Sequence, residues 1–244
     1  MAPAGGACPV AHGRGSAATD GAALRAELAA LVASQDYPCV GAKSVFNRGT
    51  ALVRGFDELG GQTATRELYA ALARFSADNP PGAAGEDPEL VSFVAVFRQP
   101  ERLAEPDFEE RLWRQLSMLH ALDTFAWDPS VSSDPASPHF GFSVAGRAFF
   151  VIGMHPDASR AARRSPLPTM VFNVHSQFEQ LRSTGRYDRI RDVVRKRDRR
   201  LQGDNNPMLA DHGLASEARQ YAGRAVPADW RPPYDFAPGR KGSD

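Results

Sequence analysis

An eight-residue apolar run at residues 90–97 constrains the fold of this chain more than any other feature. The run reads LVSFVAVF and ends before Gln99 and Pro100. Its length and its β-branched and aromatic content favour a strand over a helix. A strand that is apolar at nearly every position is covered on both faces in a folded protein. The run therefore predicts a buried central strand within a sheet.

The segments around this run alternate irregularly between helical and extended patterns. Apolar residues at helical spacing predict helices over 24–34 with Asp20 as N-cap, over 63–75, from 106 onward, and over 177–200 with an interruption near 185. Extended patterns predict strands at 44–56 and 169–174, and a β-hairpin at 140–144 and 147–154. Together they predict a single α+β domain with a mixed or antiparallel sheet of about four to six strands flanked by helices.

The predicted domain does not include the two ends of the chain. Residues 1–19 are rich in Ala, Gly, Pro and Ser without periodicity, which is typical of a disordered leader. Residues 20–236 form the predicted domain, and residues 237–244 form a predicted tail.

The charge balance argues against nucleic acid and membrane surfaces as partners. Lys plus Arg and Asp plus Glu each number 29, so the formal net charge is zero. Long-range attraction to phosphate-rich partners needs a basic excess. No apolar run approaches the roughly 20 residues of a membrane span, and the first residues lack the pattern of a secretory signal. With only Cys8 and Cys39, a disulfide framework is not expected, and the expected location is the cytoplasm.

Several common enzyme signatures are absent from the sequence. It contains no Walker-type phosphate loop and no dinucleotide fingerprint after a strand. It also contains no Gly-x-Ser-x-Gly elbow and no His-Glu-x-x-His pair. The common hydrolase and dehydrogenase chemistries therefore have no support in the sequence.

Cys39 is the first candidate for a functional side chain. It follows Pro38, which breaks a helix, and precedes the flexible Gly41. Such a position can present the sulfur to a cavity, where the nearby Lys43 and Arg48 would favour the thiolate. The alternative is a buried cysteine that behaves as a small hydrophobic residue. The spacing leaves both interpretations open.

A second candidate group follows the end of an apolar strand. His155 precedes Pro156, and strand ends are frequent places for functional side chains. An iron ligand, a general base and an ordinary turn histidine are all compatible with this position. Arg160, Arg163 and Arg164 crowd the loop that follows, which indicates an anion clamp.

The segment 182–200 is strongly basic, with nine basic residues against three acidic ones. A solvent-facing charged helix is the commoner explanation for such a segment. Nucleic-acid binding is the alternative, and the neutral total charge weighs against it.

The C-terminal segment concentrates polar residues in a region without clear periodicity. Asp211 and Glu217 are the acids that would suit a cationic substrate, and Arg219 lies nearby. The alternative is a loop whose polar groups satisfy one another.

Taken together, motifs in a fixed order resemble the YqcI/YcgG family, from about residue 24 to residue 236. The motifs are Tyr37-Pro38-Cys39; Gly153-Met154-His155-Pro156 continuing to Arg163-Arg164; Pro168-Thr169 continuing to Gln177-Phe178; Arg195-x-Arg197-Asp198; Gly203-Asp204-Asn205-Asn206-Pro207-Met208-Leu209; Ser216-Glu217-Ala218-Arg219-Gln220-Tyr221; and Trp230. The branch that the chain most resembles contains haem-dependent N-hydroxylases that act on the guanidine of arginine or a related amino acid, as in guanitoxin and cycloserine biosynthesis.

The resemblance implies a noncovalent haem b and residues to hold it. It implies Cys39 as the axial thiolate, with His155 as the alternative ligand. A thiolate ligand favours cleavage of the O–O bond. The resemblance also implies that Arg160, Arg163 and Arg164 hold the haem propionates or a substrate carboxylate.

The resemblance further implies roles on the substrate side. Glu217 would pair with the guanidinium, with Asp211 and Arg219 as further substrate-binding candidates. Asn173 or His175 would help to orient oxygen, and His155 is a further catalytic candidate.

The reaction that the resemblance implies needs more than the chain itself. The oxidant would be O2 or peroxide, and an external electron donor would be the protein partner when O2 is used. A haem-binding protein without catalytic activity is the alternative function, and a nucleic-acid-binding regulator is a further one.

Overall fold

The computed structural model describes residues 14–80, 90–208, 214–234 and 236. The elements in chain order are α1 (Arg14–Ala33), α2 (Val40–Arg48), β1 (Ala51–Glu58), α3 (Gln62–Asp78), β2 (Ser92–Gln99), α4 (Glu105–Leu122), β3 (Phe142–Val144), β4 (Arg147–Met154), a 3-10 turn (Ala161–Arg163), β5 (Thr169–Val174), α5 (His175–Ser183), α6 (Arg186–Gln202) and α7 (Ala218–Tyr221).

The strands form one mixed sheet in the order β1-β2-β5-β4-β3. β1 runs parallel to β2, whereas the β2–β5, β5–β4 and β4–β3 pairs are antiparallel. α3 makes the long connection that the parallel pair requires. The predicted α+β class, the mixed sheet and the flanking helices are confirmed.

β2 is covered on both faces, as its apolar run predicted. Phe93, Ala95 and Phe97 belong to the main core with residues of α3 and α4. Val94 and Val96 point the other way and pack with α1 residues such as Leu28. The sheet therefore separates two layers, with α3 and α4 on one face and α1 and α2 on the other.

The β3–β4 hairpin was predicted correctly, and its turn explains why. Ala145 and Gly146 have φ values of 54° and 69°, so both central residues are left-handed. Two such residues match the right-handed twist of the flanking strands.

The strand predicted at 44–56 is wrong over its first half, because the structure has α2 there and β1 after it. Cys39 caps α2, since its Sγ accepts a hydrogen bond from the Ala42 N–H at 3.3 Å. Gly49, at φ 80°, ends the helix. Val45, whose β-branched side chain suggested a strand, is instead buried on one face of the helix.

The first helix is longer than predicted. α1 begins at Arg14, so the predicted boundary between leader and domain at residue 20 falls within this helix. Residues 1–13 and 237–244 lie outside the described residues. None of the helices in the described ranges combines the length and the apolar character needed to cross a bilayer.

Candidate functional site

A cavity of about 380 Å³ lies on the α1–α2 face of the sheet. Its floor is made by alternate residues of three strands, which include Val94, Ile152, Val171 and Asn173. Its walls come from α1, α2, α5 and α6. The volume is within the range of about 300–1,000 Å³ that is typical of small-molecule sites. The lining is mostly apolar, so the few polar groups in it are the candidates for function.

Cys39 is one of these polar groups. As the N-cap of α2 it lines the cavity, and its sulfur lies at the positive end of the helix. Burial raises the pKa of the thiol, while the N–H groups of Ala42 and Gly41 and the charge of Arg163 act in the opposite direction. Because the net effect raises the pKa, Cys39 is a thiol at neutral pH, and it would become a thiolate ligand when a metal ion replaces its proton.

Glu217 is a partly buried acid in the same cavity, with 16% of its side chain exposed. The Tyr221 hydroxyl donates a hydrogen bond of 2.6 Å to its Oε1, and His175 Nε2 lies 3.8 Å from its Oε2. Burial raises the pKa of Glu217 to about 8, although the Tyr221 hydrogen bond and the charge of Arg182 lower it. The nearby charge of Glu179 raises it further. At neutral pH this carboxyl is therefore mostly protonated until a cation approaches it.

Tyr221 positions the Glu217 carboxyl. Its hydroxyl accepts a hydrogen bond from the Phe142 N–H at 3.1 Å while it donates to Glu217. Its ring stacks on Trp113 with centroids 5.6 Å apart. Burial and the adjacent Glu217 raise the pKa of Tyr221, so the hydroxyl keeps its proton and stays a donor.

The two predicted oxygen-orienting residues both line the cavity, with different constraints. Asn173 is fixed within the sheet, because its Oδ1 accepts from Ser92 Oγ at 2.8 Å and its Nδ2 donates to the Phe150 carbonyl at 3.3 Å. His175 begins α5 and is buried beside Glu217.

Arg163 lines the cavity and is buried. Its Nη1 donates to the Gly153 carbonyl at 3.1 Å and its Nη2 to the Gln220 carbonyl at 3.0 Å. Burial lowers its pKa, whereas Tyr37 and Cys39 act in the opposite direction. Arg163 therefore joins β4 to α7 and brings a positive charge near the Cys39 sulfur.

Arg160 and Arg164 differ from Arg163. Arg160 lines the cavity, but its guanidinium forms a buried ion pair with Asp198 at 2.7 Å and a second pair with Asp204. Arg164 is outside the cavity lining, and its Nε donates to the Ala158 carbonyl at 2.8 Å. The three predicted clamp residues thus do not converge on one point.

The comparisons with known proteins give one match. The sequence model of the YqcI/YcgG family matches residues 28–235. The chain belongs to the YqcI/YcgG family. No curated protein and no solved structure matches it. The matched range contains every cavity residue named above.

His155 lies apart from the cavity in this YqcI/YcgG protein. It stacks on Phe108 of α4 with ring centroids 4.4 Å apart, on the other side of the sheet. Neither ring nitrogen has a hydrogen-bond partner among the described residues. Burial lowers its pKa, although Glu105 and Asp157 oppose this. The structure thus separates His155 from Cys39, its alternative as an iron ligand.

Arg219, a further substrate-side candidate, is not among the residues that line the cavity. Arg219 donates to the carbonyls of Val226, Pro227 and Ala228 and joins two parts of the C-terminal segment. Asp211 lies outside the described residues.

Three residues that shape the site were not predicted from the sequence: Tyr221, Arg182 and Asp198. The i, i+4 spacing of Glu217 and Tyr221 was a signal for the first. Arg182 lines the cavity, and its guanidinium lies 4.8 Å from the ring centroid of Tyr187. Asp198 ends the Arg195-x-Arg197-Asp198 motif but had no predicted role, because its partner Arg160 is distant in the sequence. The described residues contain no cluster of three or more His, Cys, Asp and Glu that would hold a metal ion by themselves.

Proposed function

We propose that this member of the YqcI/YcgG family is a haem-dependent monooxygenase that hydroxylates a guanidine nitrogen of arginine or a related amino acid. One observation carries the proposal. A single apolar cavity is lined by both a candidate iron ligand, Cys39, and a partly buried acid, Glu217. These two groups match the two needs of the reaction, an axial ligand for the cofactor and a partner for a cationic substrate.

The residues present are compatible with haem. The apolar lining suits the faces of a porphyrin. Burial raises the pKa of the Cys39 thiol, and the hydrogen bond from the Ala42 N–H at the start of α2 opposes this effect. Arg163 adds a positive charge beside that sulfur. Arg160 and Arg163 line the cavity and are the candidates to meet the propionates, in addition to the carboxylates and carbonyls that they already bind. The cofactor would be held without a covalent attachment.

When bound, the haem supplies the activation of O2 or peroxide, and a thiolate ligand favours O–O cleavage. The chain itself would bind and orient the substrate. Because the Glu217 carboxyl is mostly protonated at neutral pH, a guanidinium that pairs with it displaces a proton. The Tyr221 hydroxyl binds Oε1 of Glu217. Oε2 of Glu217, on the side of His175, is then the oxygen that would pair with the substrate guanidinium. Asn173, with both polar groups occupied, is a fixed part of the floor.

The first experiment is the absorption spectrum of the purified chain after reconstitution with haemin. A Soret band is expected, and its absence would contradict the proposal. Cys39→Ala is expected to change the ferrous–CO band, whereas His155→Ala is the matched control and is expected to leave it in place. The reverse result would make His155 the ligand.

The second experiment tests the substrate. Arginine is expected to shift the haem spectrum and, with an electron donor or peroxide, to yield a product heavier by one oxygen atom. Glu217→Gln is expected to weaken both effects, while Glu67→Gln, which changes an exposed acid on α3, is expected to weaken neither. A Soret band without any response to arginine or related amino acids would instead favour haem binding without catalysis.

A further inference from the structure

The outward face of α6 carries a continuous basic stripe. Arg186, Arg189, Lys196 and Arg200 are exposed and follow one another at intervals of three and four residues around Val193. Val193 itself is 41% exposed. At 3.6 residues per turn these five positions share one side of the helix, over a length of about 20 Å. We call these five residues the α6 stripe.

The α6 stripe lies opposite the cavity. Val194 is about a third of a turn and Asp198 almost half a turn away from the centre of the stripe, and both line the cavity. Only one helix, about 10 Å in diameter, therefore separates the α6 stripe from the cavity that Cys39 lines.

No acidic residue of α6 belongs to the stripe. Asp188 and Asp192 lie on the flank of the helix and pair with Arg191. Asp198 points inward to Arg160. The stripe positions therefore carry four basic side chains and no acidic one, although the chain as a whole is neutral.

We propose that the α6 stripe is the docking surface for an acidic one-electron carrier protein. The inference rests on the proposed function, because N-hydroxylation with O2 needs reducing equivalents. One oxygen atom enters the N–O bond of the product, and the other leaves as water. This consumes two electrons and two protons, so the carrier is oxidised in two successive encounters.

The composition of the α6 stripe suits such a partner. Electron carriers must bind and leave quickly, and complementary charge raises the association rate more than it raises the affinity. An exposed apolar residue within a charged rim matches the anatomy of small transient interfaces. A nucleic-acid surface would instead be expected to add aromatic residues and a basic total charge, and the stripe contains no aromatic residue.

The test uses the full chain and a plant-type [2Fe–2S] ferredoxin, an acidic one-electron carrier, as the probe. The double variant Arg189→Glu/Lys196→Glu reverses two charges of the stripe. The control Arg54→Glu/Arg66→Glu reverses two exposed charges on β1 and α3 and gives the same net charge. Affinity for ferredoxin is measured by titration at low and at physiological ionic strength, with duplex DNA as a second probe.

At low ionic strength the stripe variant is expected to bind ferredoxin about tenfold more weakly than the wild type, and the control is expected to bind with little change. Ferredoxin-driven turnover should fall in the same variant, while peroxide-driven turnover stays at the wild-type level. The proposal is overturned by equal affinities of the two variants, by no binding to the wild type, or by DNA binding that is tighter and depends on the stripe. Because the titration requires no turnover, it reports on docking even if the haem assay contradicts the proposed function.

Discussion

Replacing Glu217 by glutamine tests the electrostatics of the cavity through the stability of the protein. The Glu217 side chain is only 16% exposed, and burial raises its pKa from an ordinary 4.5 to about 8. The substituted amide would keep the shape of the side chain and an oxygen that accepts the Tyr221 hydrogen bond, but it cannot ionise. The difference in the free energy of unfolding between the two proteins therefore isolates the ionisation of the Glu217 carboxyl. Its neighbours Tyr221, His175, Arg182 and Glu179 stay the same.

Whether stability rises or falls with pH depends on which state of the chain, folded or unfolded, retains the proton of Glu217. Below about pH 4.5 the carboxyl is protonated in the folded and unfolded chains, and its ionisation has no effect on stability. Between that pH and about 8 the unfolded chain releases the proton while the folded chain retains it, so the free energy of unfolding falls as pH rises. At about 1.4 kcal/mol for each pH unit between the two pKa values, the full loss is about 5 kcal/mol.

The assay is urea unfolding followed by circular dichroism at about pH 5, 7 and 9. Relative to the wild type, Glu217→Gln is expected to gain stability steadily with rising pH, by several kcal/mol at the highest value. Glu67→Gln removes an exposed carboxyl and should follow the wild-type profile. If the free energies of unfolding of the two variants change with pH in parallel, burial does not keep Glu217 protonated. The reasoning about the role of Glu217 would then be wrong.

Two further substitutions test the packing around the site. Gly153→Ala places a Cβ 2.6 Å from a side-chain carbon of α4 and is expected to lower the free energy of unfolding by about 1–3 kcal/mol. The control is Gly41→Ala, because the nearest atom to a Cβ at that position is 3.8 Å away. An equal loss of stability in the two variants would contradict the tight packing around Gly153. Asp198→Ala leaves the buried Arg160 with only an exposed partner, and urea unfolding should show a loss at the lower end of about 3–5 kcal/mol. Asp78→Ala, from an exposed ion pair, should change stability by less than about 1 kcal/mol, and a similar change for both would refute the prediction.

The elements that the sequence predicted correctly are those whose signals are local. The apolar run of β2, the two left-handed residues of the hairpin turn and the spacing of Phe108, Leu112 and Leu116 in α4 each act within a few residues. The strand predicted in place of α2 was wrong for a related reason. Its nine residues contain β-branched and aromatic side chains that also suit a strand, and the contacts that decide for a helix are a sulfur cap at Cys39 and a burial pattern that depends on the neighbouring sheet.

The site depended more strongly on the tertiary structure. Chemical types were visible in the chain, so Cys39, Arg163, His175 and Glu217 were all candidates before any fold was known. Their convergence was not visible, because β5 pairs with β2 and β4 and brings distant segments to one face of the sheet. The same side-chain alternation that directs Met154 into the cavity directs the next residue to the opposite layer.

The sequence by itself determined the fold class, the buried central strand and the types of side chain that are available for chemistry. These properties follow from local periodicity and composition, which short windows contain. Only the tertiary structure decided that His155 is excluded from the cavity, that Arg160 is committed to Asp198, and that the pKa of Glu217 is raised to about 8. Burial and neighbouring charge set these properties, and both depend on which strands and helices meet in space.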